Sequence, residues 1–340
     1  MHLKFRSAFS ALAGTGLALL AAASPTLADG PKVGYTSFGL THTYTVVLAQ
    51  LTEKYGKELG LDMLPTVDSQ FDAAKQVTDI STMIASGVQG IILNTVDSSA
   101  IKVALDRAEA AGVKVVAVDT GPDSGHVAMM VRVSSVTLGR EACQDLGKRM
   151  NGTGTALEIQ GSFATQVGVL RSQGFNDCMA ANFPGIKVIS KQADWVQDQA
   201  TTIAQTVLST DPSVTGIFLA GDSVYLPGVL NVLKRVDRLA KVDEEGHVVI
   251  VGIDGDPFAL EQIRAGYMDS TVSQPLISYA EWGVRYLKAA IEGETFAVGK
   301  TDHNSEIVQD GDNLADVLEP TIVDKNNVDD AGLWGNVKAQ

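Results

Sequence analysis

The sequence has few cysteines, few basic residues and no long hydrophobic run beyond its first residues. Its 340 residues include two cysteines, and 26 Lys and Arg stand against 40 Asp and Glu. After Ala23 no apolar run approaches the ~20 residues that a membrane-spanning helix needs, so we expect the mature chain to be soluble. The acidic excess repels phosphate backbones and no basic stripe offsets it, so we expect no nucleic-acid partner.

The first 28 residues are typical of an export signal. Lys4 and Arg6 precede an uncharged run, Phe9–Ala23, that is short and rich in Ala and Gly. Thr26 and Ala28 are small, as a signal peptidase requires, so we predict cleavage after Ala28 and a periplasmic location rather than a buried N-terminal helix. No cysteine follows the run, so we expect no lipid anchor. The mature chain then has 312 residues and a net charge near −16, with 24 basic against 40 acidic residues.

Short β-branched runs alternate with longer stretches of helical period from Pro31 onward. Strands such as Gly90–Asn94 and Val113–Asp119 are almost wholly apolar, as parallel strands covered on both faces are. Strand–helix–strand units at this spacing predict a doubly wound parallel sheet. Because the pattern restarts after Val133, we predict an α/β protein with two Rossmann-like lobes joined by a multi-strand hinge.

Polar and aromatic side chains follow almost every predicted strand. Ligands of open parallel sheets bind outside the carboxyl ends of the strands, so these positions are the candidate ligand site. They are His42, Tyr44, Thr45, Asp119, Thr120, Arg171, Trp195, Gly221, Asp222, Asp254 and Gln274. Carboxylates accept from vicinal hydroxyls, a guanidinium donates in a fixed fork, and flat rings cover the C–H face of a sugar. We therefore predict a neutral polyhydroxy ligand, with no metal and no cofactor.

Seven short motifs follow one another over residues 31–325. They are Val67-Asp68-Ser69-Gln70, Asn94-Thr95-Val96-Asp97-Ser98, Val118-Asp119-Thr120, Ile159-Gln160-Gly161, Ala193-Asp194-Trp195, Val251-Gly252-Ile253-Asp254-Gly255 and Ser273-Gln274. In this order and spacing they resemble the ribose-binding group of type I periplasmic binding proteins. The resemblance implies a sugar receptor that delivers a monosaccharide or polyol to the permease subunits of an ABC importer, and in some members to a chemoreceptor. We expect a monomer.

The resemblance also implies lobes that are discontinuous in sequence. Together with the restart after Val133, it places residues 30–133 and 275–318 in the N-terminal lobe, and residues 134–274 and 319–330 in the C-terminal lobe. Leu61–Val67 and Thr321–Val323 are predicted strands, whereas Gly299–Asp316 is a polar stretch with no predicted strand.

Carried over by position, the resemblance assigns ligand contacts to a subset of the strand-end residues. They are His42, Tyr44, Thr45, Asp119, Arg171, Trp195, Asp254 and Gln274. The sequence departs from the ribose-binding pattern at Thr120, where an Arg is usual, and at Gly221, where an Asn is usual. His42 replaces an Asn and Thr45 replaces a second aromatic. These departures weaken the case for ribose itself, and Gly221 predicts room for a bulkier substituent.

Each site residue has an ordinary structural alternative. Asp119 and Asp254 could cap the turns after their strands, and Asp222 could cap the next helix. Arg171 could form a surface ion pair and Trp195 could belong to the core. His42 has no companion at metal-ligand spacing. Residues 310–313 lack the regular calcium-loop pattern and instead predict a solvated turn.

The two cysteines are a candidate disulfide, because paired thiols of exported proteins are oxidised in the compartment that the proteins reach. Cys143 and Cys178 lie on the helices that follow the first two strands of the second α/β half, and such helices pack side by side. The sequence alone leaves the pairing open.

Three other functions compete with transport. An α/β hydrolase would show a Gly-x-Ser-x-Gly elbow, which is absent, although a lyase or isomerase stays open until turnover is tested. A sugar-responsive repressor would need a basic helix-turn-helix module where the export signal stands. A sensor for chemotaxis or signalling shares the predicted fold and cleft, and the sequence does not separate it from a transport receptor. We expect no enzyme activity.

Overall fold

The computed structural model describes residues 30–337, so the predicted export signal lies outside the described residues. The strands are β1 (Lys32–Ser37), β2 (Asp62–Met63), β3 (Val67–Asp68), β4 (Gly90–Leu93), β5 (Lys114–Val118), β6 (Met129–Val133), β7 (Gly154–Gln160), β8 (Ile186–Gln192), β9 (Val214–Leu219), β10 (Val249–Asp254), β11 (Ser270–Ser273), β12 (Gly299–Lys300), β13 (Glu306–Asp310), β14 (Asn313–Leu318) and β15 (Thr321–Val323). The helices are α1 (Thr43–Glu58), α2 (Ala73–Ala85), α3 (Lys102–Ala110), α4 (Ser135–Arg149), α5 (Gln166–Asn182), α6 (Gln197–Thr210), α7 (Asp222–Arg235), α8 (Pro257–Ala265), α9 (Leu276–Ile291) and a 3₁₀ helix, Trp334–Asn336.

These strands form two sheets. One has the order β12-β13-β14-β6-β5-β4-β1-β2, with β3 also paired to β1, and the other has the order β15-β11-β10-β9-β7-β8. Pairs from β14 through β2 are parallel, as are those from β11 through β8, whereas β12, β13 and β15 join antiparallel at the edges. We call the two α/β units the N-terminal lobe and the C-terminal lobe. The predicted fold class of two parallel-sheet lobes is confirmed.

The chain passes between the two sheets three times. It leaves the first sheet after Val133, returns from β11 to α9 at Gln274–Pro275, and passes from β14 to β15 between Leu318 and Thr321. α9 packs on α1, β4, β5 and β6, so it covers the first sheet. Within residues 30–337 no helix is both long and apolar enough to span a membrane.

Two predictions about strands were wrong. The predicted strand Leu61–Val67 is split into β2 and β3, because Pro65 between them has no N–H to donate to a ladder. The polar stretch Gly299–Asp316 contains β12, β13 and most of β14. Its strand β13, which lies next to the edge strand β12, is only partly buried, so its residues do not show the apolar run that marks buried strands. The predicted turn at residues 310–313 is the loop of the β13–β14 hairpin, where Gly311 has a φ of +59°.

Close packing of α4 on α5 brings the two cysteines together. A Cβ on Gly139 would lie 2.0 Å from the carbonyl oxygen of Arg171, and one on Gly174 would lie 2.2 Å from that of Val136. Only glycine at both positions allows the backbones to approach so far. Across this contact the Sγ atoms of Cys143 and Cys178 lie 1.99 Å apart and form a disulfide.

Candidate ligand-binding site

A small cavity of about 60 Å³ lies between the lobes, at the carboxyl ends of both sets of parallel strands. Nine of the eleven predicted site residues line it: His42, Tyr44, Thr45, Asp119, Thr120, Arg171, Trp195, Asp254 and Gln274. Phe38, Asn94, Val167, Ser223 and Val224 complete the wall. Both lobes therefore contribute polar and aromatic side chains to one site.

Arg171 connects the two sides of this cavity. Its side chain is 4% exposed, and one of its terminal nitrogens donates to the carbonyl oxygen of Ala220 at 2.7 Å. The guanidinium lies 3.5 Å from Asp254 Oδ1 in its own lobe and 3.9 Å from Asp119 Oδ1 in the other lobe. A buried charge persists only when it is paired, and here the pairing spans the cleft. The surface ion pair considered as an alternative is thus not what Arg171 forms.

Asp254 is held by three neighbours in the C-terminal lobe. Its carboxylate accepts from Ser223 Oγ at 2.5 Å and from Gln274 Nε2 at 2.8 Å, and it faces the Arg171 guanidinium. Its φ of +128° is rarely adopted by a residue with a side chain. Burial raises the pKa of Asp254 to about 6, and the charge of Arg171 opposes that rise.

Asp119 faces Asp254 from the N-terminal lobe and is bound more loosely. Its Oδ2 accepts from Asn94 Nδ2 at 3.3 Å and from Thr120 Oγ1 at 3.2 Å, and its φ is +63°. Burial raises the pKa of Asp119, with Arg171 again opposing the rise. Thr120, which stands where the related pattern has an Arg, thus orients the neighbouring carboxylate and adds no charge to the cavity.

Trp195 lines the cavity, and neighbouring side chains fix the position of its ring. The indole stacks on Tyr225 with a centroid distance of 6.1 Å, and its Nε1 donates to Thr165 Oγ1 at 3.2 Å. A Cβ on Gly161 would lie 2.1 Å from the ring, so this glycine makes the ring position possible. The guanidinium of Arg171 lies 5.7 Å from the ring centre, within range of a cation–π interaction.

Two buried polar atoms in the wall have no hydrogen-bond partner among residues 30–337. They are the hydroxyl of Tyr44 and Nε of Arg171. Burying such a group without a partner is costly, so both are candidates for contact with a bound molecule. His42 lies beside them, and burial lowers its pKa, which favours the neutral imidazole, able to donate or accept.

Two of the predicted site residues do not line the cavity. Asp222 does not line the cavity: it is 1% exposed, and its carboxylate accepts from Thr271 Oγ1 and from the backbone N–H of Gly255 and Asp256. Gly221 lies behind the wall. A Cβ there would sit 3.3 Å from both Trp195 and Asp254, so the space predicted for a bulkier substituent is occupied by those side chains.

Several wall residues were missed, although signals for them existed. Asn94 directly follows β4 and lies in a motif quoted above, while Phe38 and Ser223 follow β1 and β9 within four residues. All three lie beyond the carboxyl end of a parallel strand, where ligands of such sheets bind. Asn94 Nδ2 also donates to the carbonyl oxygen of Val118, which fixes it beside Asp119.

The lobes meet beside the cavity and at the crossings. The backbone N–H of Ser98 donates to the carbonyl oxygen of Ala164 at 3.1 Å, and Gln166 N–H donates to Ser98 Oγ at 3.1 Å. At the crossings, the hydroxyl of Tyr279 accepts from Val133 N–H and donates to Gln274 Oε1. Gln274 in turn contacts Asp254, so hydrogen bonds run from the cavity wall to the crossing strands.

Comparison with known proteins identifies the family. The periplasmic binding protein domain matches residues 33–295. The chain belongs to this family. It is 27% identical over 243 residues to the ribose import binding protein of Bacillus subtilis (strain 168), covering 71% of this chain and 75% of that protein. It is 25% identical over 292 residues to the xylitol-binding protein of Mycolicibacterium smegmatis, covering 84% and 80%.

A solved structure shows the same fold for this periplasmic binding protein. An ABC transporter solute binding protein from Mycobacterium smegmatis with bound glycerol superposes with a TM-score of 0.78 at 22% sequence identity. The match covers 92% of this chain and 100% of that one. The resemblance found in the sequence motifs is thus confirmed at the level of family and fold.

Proposed function

We propose that this periplasmic binding protein binds a neutral monosaccharide or sugar alcohol between its lobes and delivers it to the permease of an ABC importer. The observation that carries the proposal is the buried Arg171 between Asp119 and Asp254, one carboxylate from each lobe. Vicinal hydroxyls donate to such carboxylates and accept from the guanidinium, so one small polyol joins both lobes. Relatives named for ribose and xylitol support this ligand class.

The dimensions and the aromatic wall also support a small ligand. A small cavity that is lined by side chains of both lobes favours a monosaccharide over an oligosaccharide. Trp195 offers a flat ring for the C–H face of a sugar, and the hydroxyl of Tyr44 offers an unpaired polar atom. We propose that His42, Tyr44, Thr45, Asp119, Arg171, Trp195, Asp254 and Gln274 contact the ligand.

The charge of the wall selects against acidic sugars. The residues that line the cavity include two carboxylates, Asp119 and Asp254, and one guanidinium, that of Arg171. A uronic acid would bring a third carboxylate into a buried site without a partner. A neutral sugar avoids that cost, and an amino sugar could pair its ammonium with a carboxylate.

Thermal-shift measurements with a ligand panel test this proposal. The panel contains pentoses, hexoses, alditols, myo-inositol, an amino sugar and a uronic acid. A ligand at one hundred times its Kd stabilises the folded protein by about 2.7 kcal/mol, so the best ligand is visible as a rise in Tm. Calorimetry then compares a hexose with its amino sugar and its uronic acid. No shift with any neutral member, or tightest binding by the uronic acid, would contradict the proposal.

We also propose that the two lobes rotate as units about the three crossings when a ligand binds. The units are residues 30–133 with 275–318, and residues 134–274 with 319–330. Small-angle scattering with and without the panel's best ligand should show a smaller radius of gyration in the bound state. An identical radius in both states, with binding proven by calorimetry, would argue against the rotation.

The remaining proposals concern location and chemistry. We propose export with cleavage after Ala28, which mass spectrometry of the secreted protein tests by finding Asp29 as the first residue. We further propose that the protein acts as a monomer and releases its ligand unchanged. Nuclear magnetic resonance of the ligand after prolonged incubation should show no product, and a product would favour the lyase or isomerase alternative.

A further inference from the structure

The last described residues form a segment that lies outside the matched family region. We call residues 324–337 the C-terminal segment; the family match ends at residue 295. It follows β15, carries the 3₁₀ helix, and buries Val328, Leu333 and Trp334. A run with three buried apolar side chains is packed against the protein, and its packing partners lie beside the cavity.

The C-terminal segment is fastened to α8 of the C-terminal lobe. Arg264 donates through Nε to Asp329 Oδ1 at 2.7 Å, and through a terminal nitrogen to the carbonyl oxygen of Val328 at 2.9 Å and to Asn336 Oδ1 at 2.6 Å. A Cβ on Gly335 would lie 2.5 Å from the carbonyl oxygen of Gly255, so the segment touches the turn that follows β10.

Trp334 reaches from this segment to both lobes. Its Nε1 donates to the carbonyl oxygen of Asp254 at 2.7 Å, and the side chain is buried. The edge-to-face contact with Tyr44 of the N-terminal lobe has a centroid distance of 5.7 Å and an interplanar angle of 86°. Both partners of Trp334 line the cavity, although Trp334 itself does not.

The partner in the C-terminal lobe is a residue that needs support. Asp254 has a φ of +128°, a conformation that persists only where surrounding contacts hold it. Its carbonyl oxygen accepts two hydrogen bonds, one from Trp334 and one from Gln274 N–H at 3.1 Å. The two bonds fix the peptide that aims the Asp254 carboxylate at Arg171.

We propose that Trp334 is a positioning residue for the ligand site. It holds the backbone of Asp254 in the C-terminal lobe and receives the Tyr44 ring of the N-terminal lobe when the lobes are closed. The C-terminal segment thus sets the affinity of the site without touching the ligand. This inference rests on the proposed function for its affinity prediction, but its geometric part does not.

Two substitutions separate the two contacts of Trp334. Trp334→Phe keeps a ring against Tyr44 and removes the donor to Asp254, whereas Trp334→Ala removes both. For D-ribose, xylitol and myo-inositol, whichever the wild type binds, we expect Kd to rise about fivefold in the first variant. In the second we expect a rise of about thirtyfold, because the aromatic contact is lost as well. Trp282→Phe, on α9 away from the cavity, is the matched control and should leave Kd unchanged.

A purely structural role for Trp334 predicts a different pattern. It would lower Tm without changing the Kd measured well below Tm. Arg264→Gln, which loosens the C-terminal segment but leaves Trp334 in place, should raise Kd in the same direction by a smaller factor. If the wild type binds a sugar and both Trp334 variants bind it with wild-type Kd, the inference is overturned.

Hydrogen exchange in the ligand-free protein tests the geometric part independently. Loss of the Trp334 donor should speed exchange of the Gln274 amide, which donates to the same carbonyl, by about fivefold in Trp334→Phe and not in Trp282→Phe. Unchanged exchange at Gln274 would overturn the inference even if sugars bind. If the wild type binds none of the sugars, the proposed function fails, while this exchange result still decides the role of Trp334.

Discussion

The two carboxylates that face the cavity are held in different ways. Asp254 accepts from Ser223 at 2.5 Å and Gln274 at 2.8 Å and lies 3.5 Å from Arg171. Asp119 accepts at 3.2 and 3.3 Å and lies 3.9 Å from the same guanidinium. The C-terminal half of the wall is therefore preorganised, whereas the N-terminal half completes its contacts only with the lobes together. Preorganised contacts lower the cost of binding, so we expect the C-terminal half to carry more of the affinity.

Removing the guanidinium should have the largest effect, because both halves depend on it. Arg171→Met leaves Asp254 and Asp119 buried without a counter-charge, and we expect a loss of about 3–5 kcal/mol in sugar affinity by calorimetry. Arg171→Lys should lose less affinity than Arg171→Met, since lysine restores the positive charge but not the paired N–H donors of the guanidinium. Arg140→Met, a change to an exposed residue of α4, is the control. If Arg171→Met bound sugar with wild-type affinity, Arg171 would not be a ligand contact, and the comparison of the two carboxylates around it would no longer apply.

Removing the Trp195 ring from the C-terminal half of the wall should have the second-largest effect on sugar affinity. Trp195→Ala deletes the ring that faces the cavity, and we expect a loss of about 2–4 kcal/mol in affinity, as for other buried aromatic anchors. Trp282→Ala on α9 serves as the control. An affinity unaffected by Trp195→Ala, together with a lower Tm, would show that the ring is core and that the ligand contacts lie elsewhere.

The disulfide offers a test in which stability should change but affinity should not. Both cysteines lie in the C-terminal lobe, on α4 and α5. We expect Cys143→Ala with Cys178→Ala to lower the free energy of unfolding by about 3 kcal/mol in urea, since the bond restricts the unfolded chain. Thiol titration of the exported protein should find no free thiol. Two free thiols per chain, or a large loss of sugar affinity in the double variant, would contradict this expectation.

The pH dependence of binding should show the smallest effect and separate the two carboxylates most directly. The pKa of Asp254 is raised to about 6, and a hydroxyl ligand donates to its ionised form. Binding should therefore be full above that pKa and weaken as the pH falls through it, by about tenfold at pH 5. Asp254→Asn should abolish this step, and Asp119→Asn should keep it. The reverse result would assign the preorganised role to the N-terminal half.

Local sequence patterns were sufficient for most of the fold and for most of the wall. Apolar runs predicted β4 and β5 to within one residue at each end, because parallel strands that are buried on both faces consist almost wholly of apolar residues. The carboxyl end of each strand then predicted Asp119, Trp195 and Asp254. Partly exposed strands near the edge of the sheet, such as β13, have no such apolar run, and they were missed.

Other features depended on groups that are distant in the chain. Asp222 follows a strand, as several residues that line the cavity do, yet its carboxylate accepts from the hydroxyl of Thr271, 49 residues away, inside the lobe. Trp334 donates to a carbonyl 80 residues away. The sequence by itself determined the family, the two parallel sheets and the strand ends that carry the site. Only the tertiary structure decided which strand-end side chains face the cavity. The orientation of these side chains depends on hydrogen bonds between elements that are distant in the chain, and the periodicity of the local sequence contains no information about such bonds.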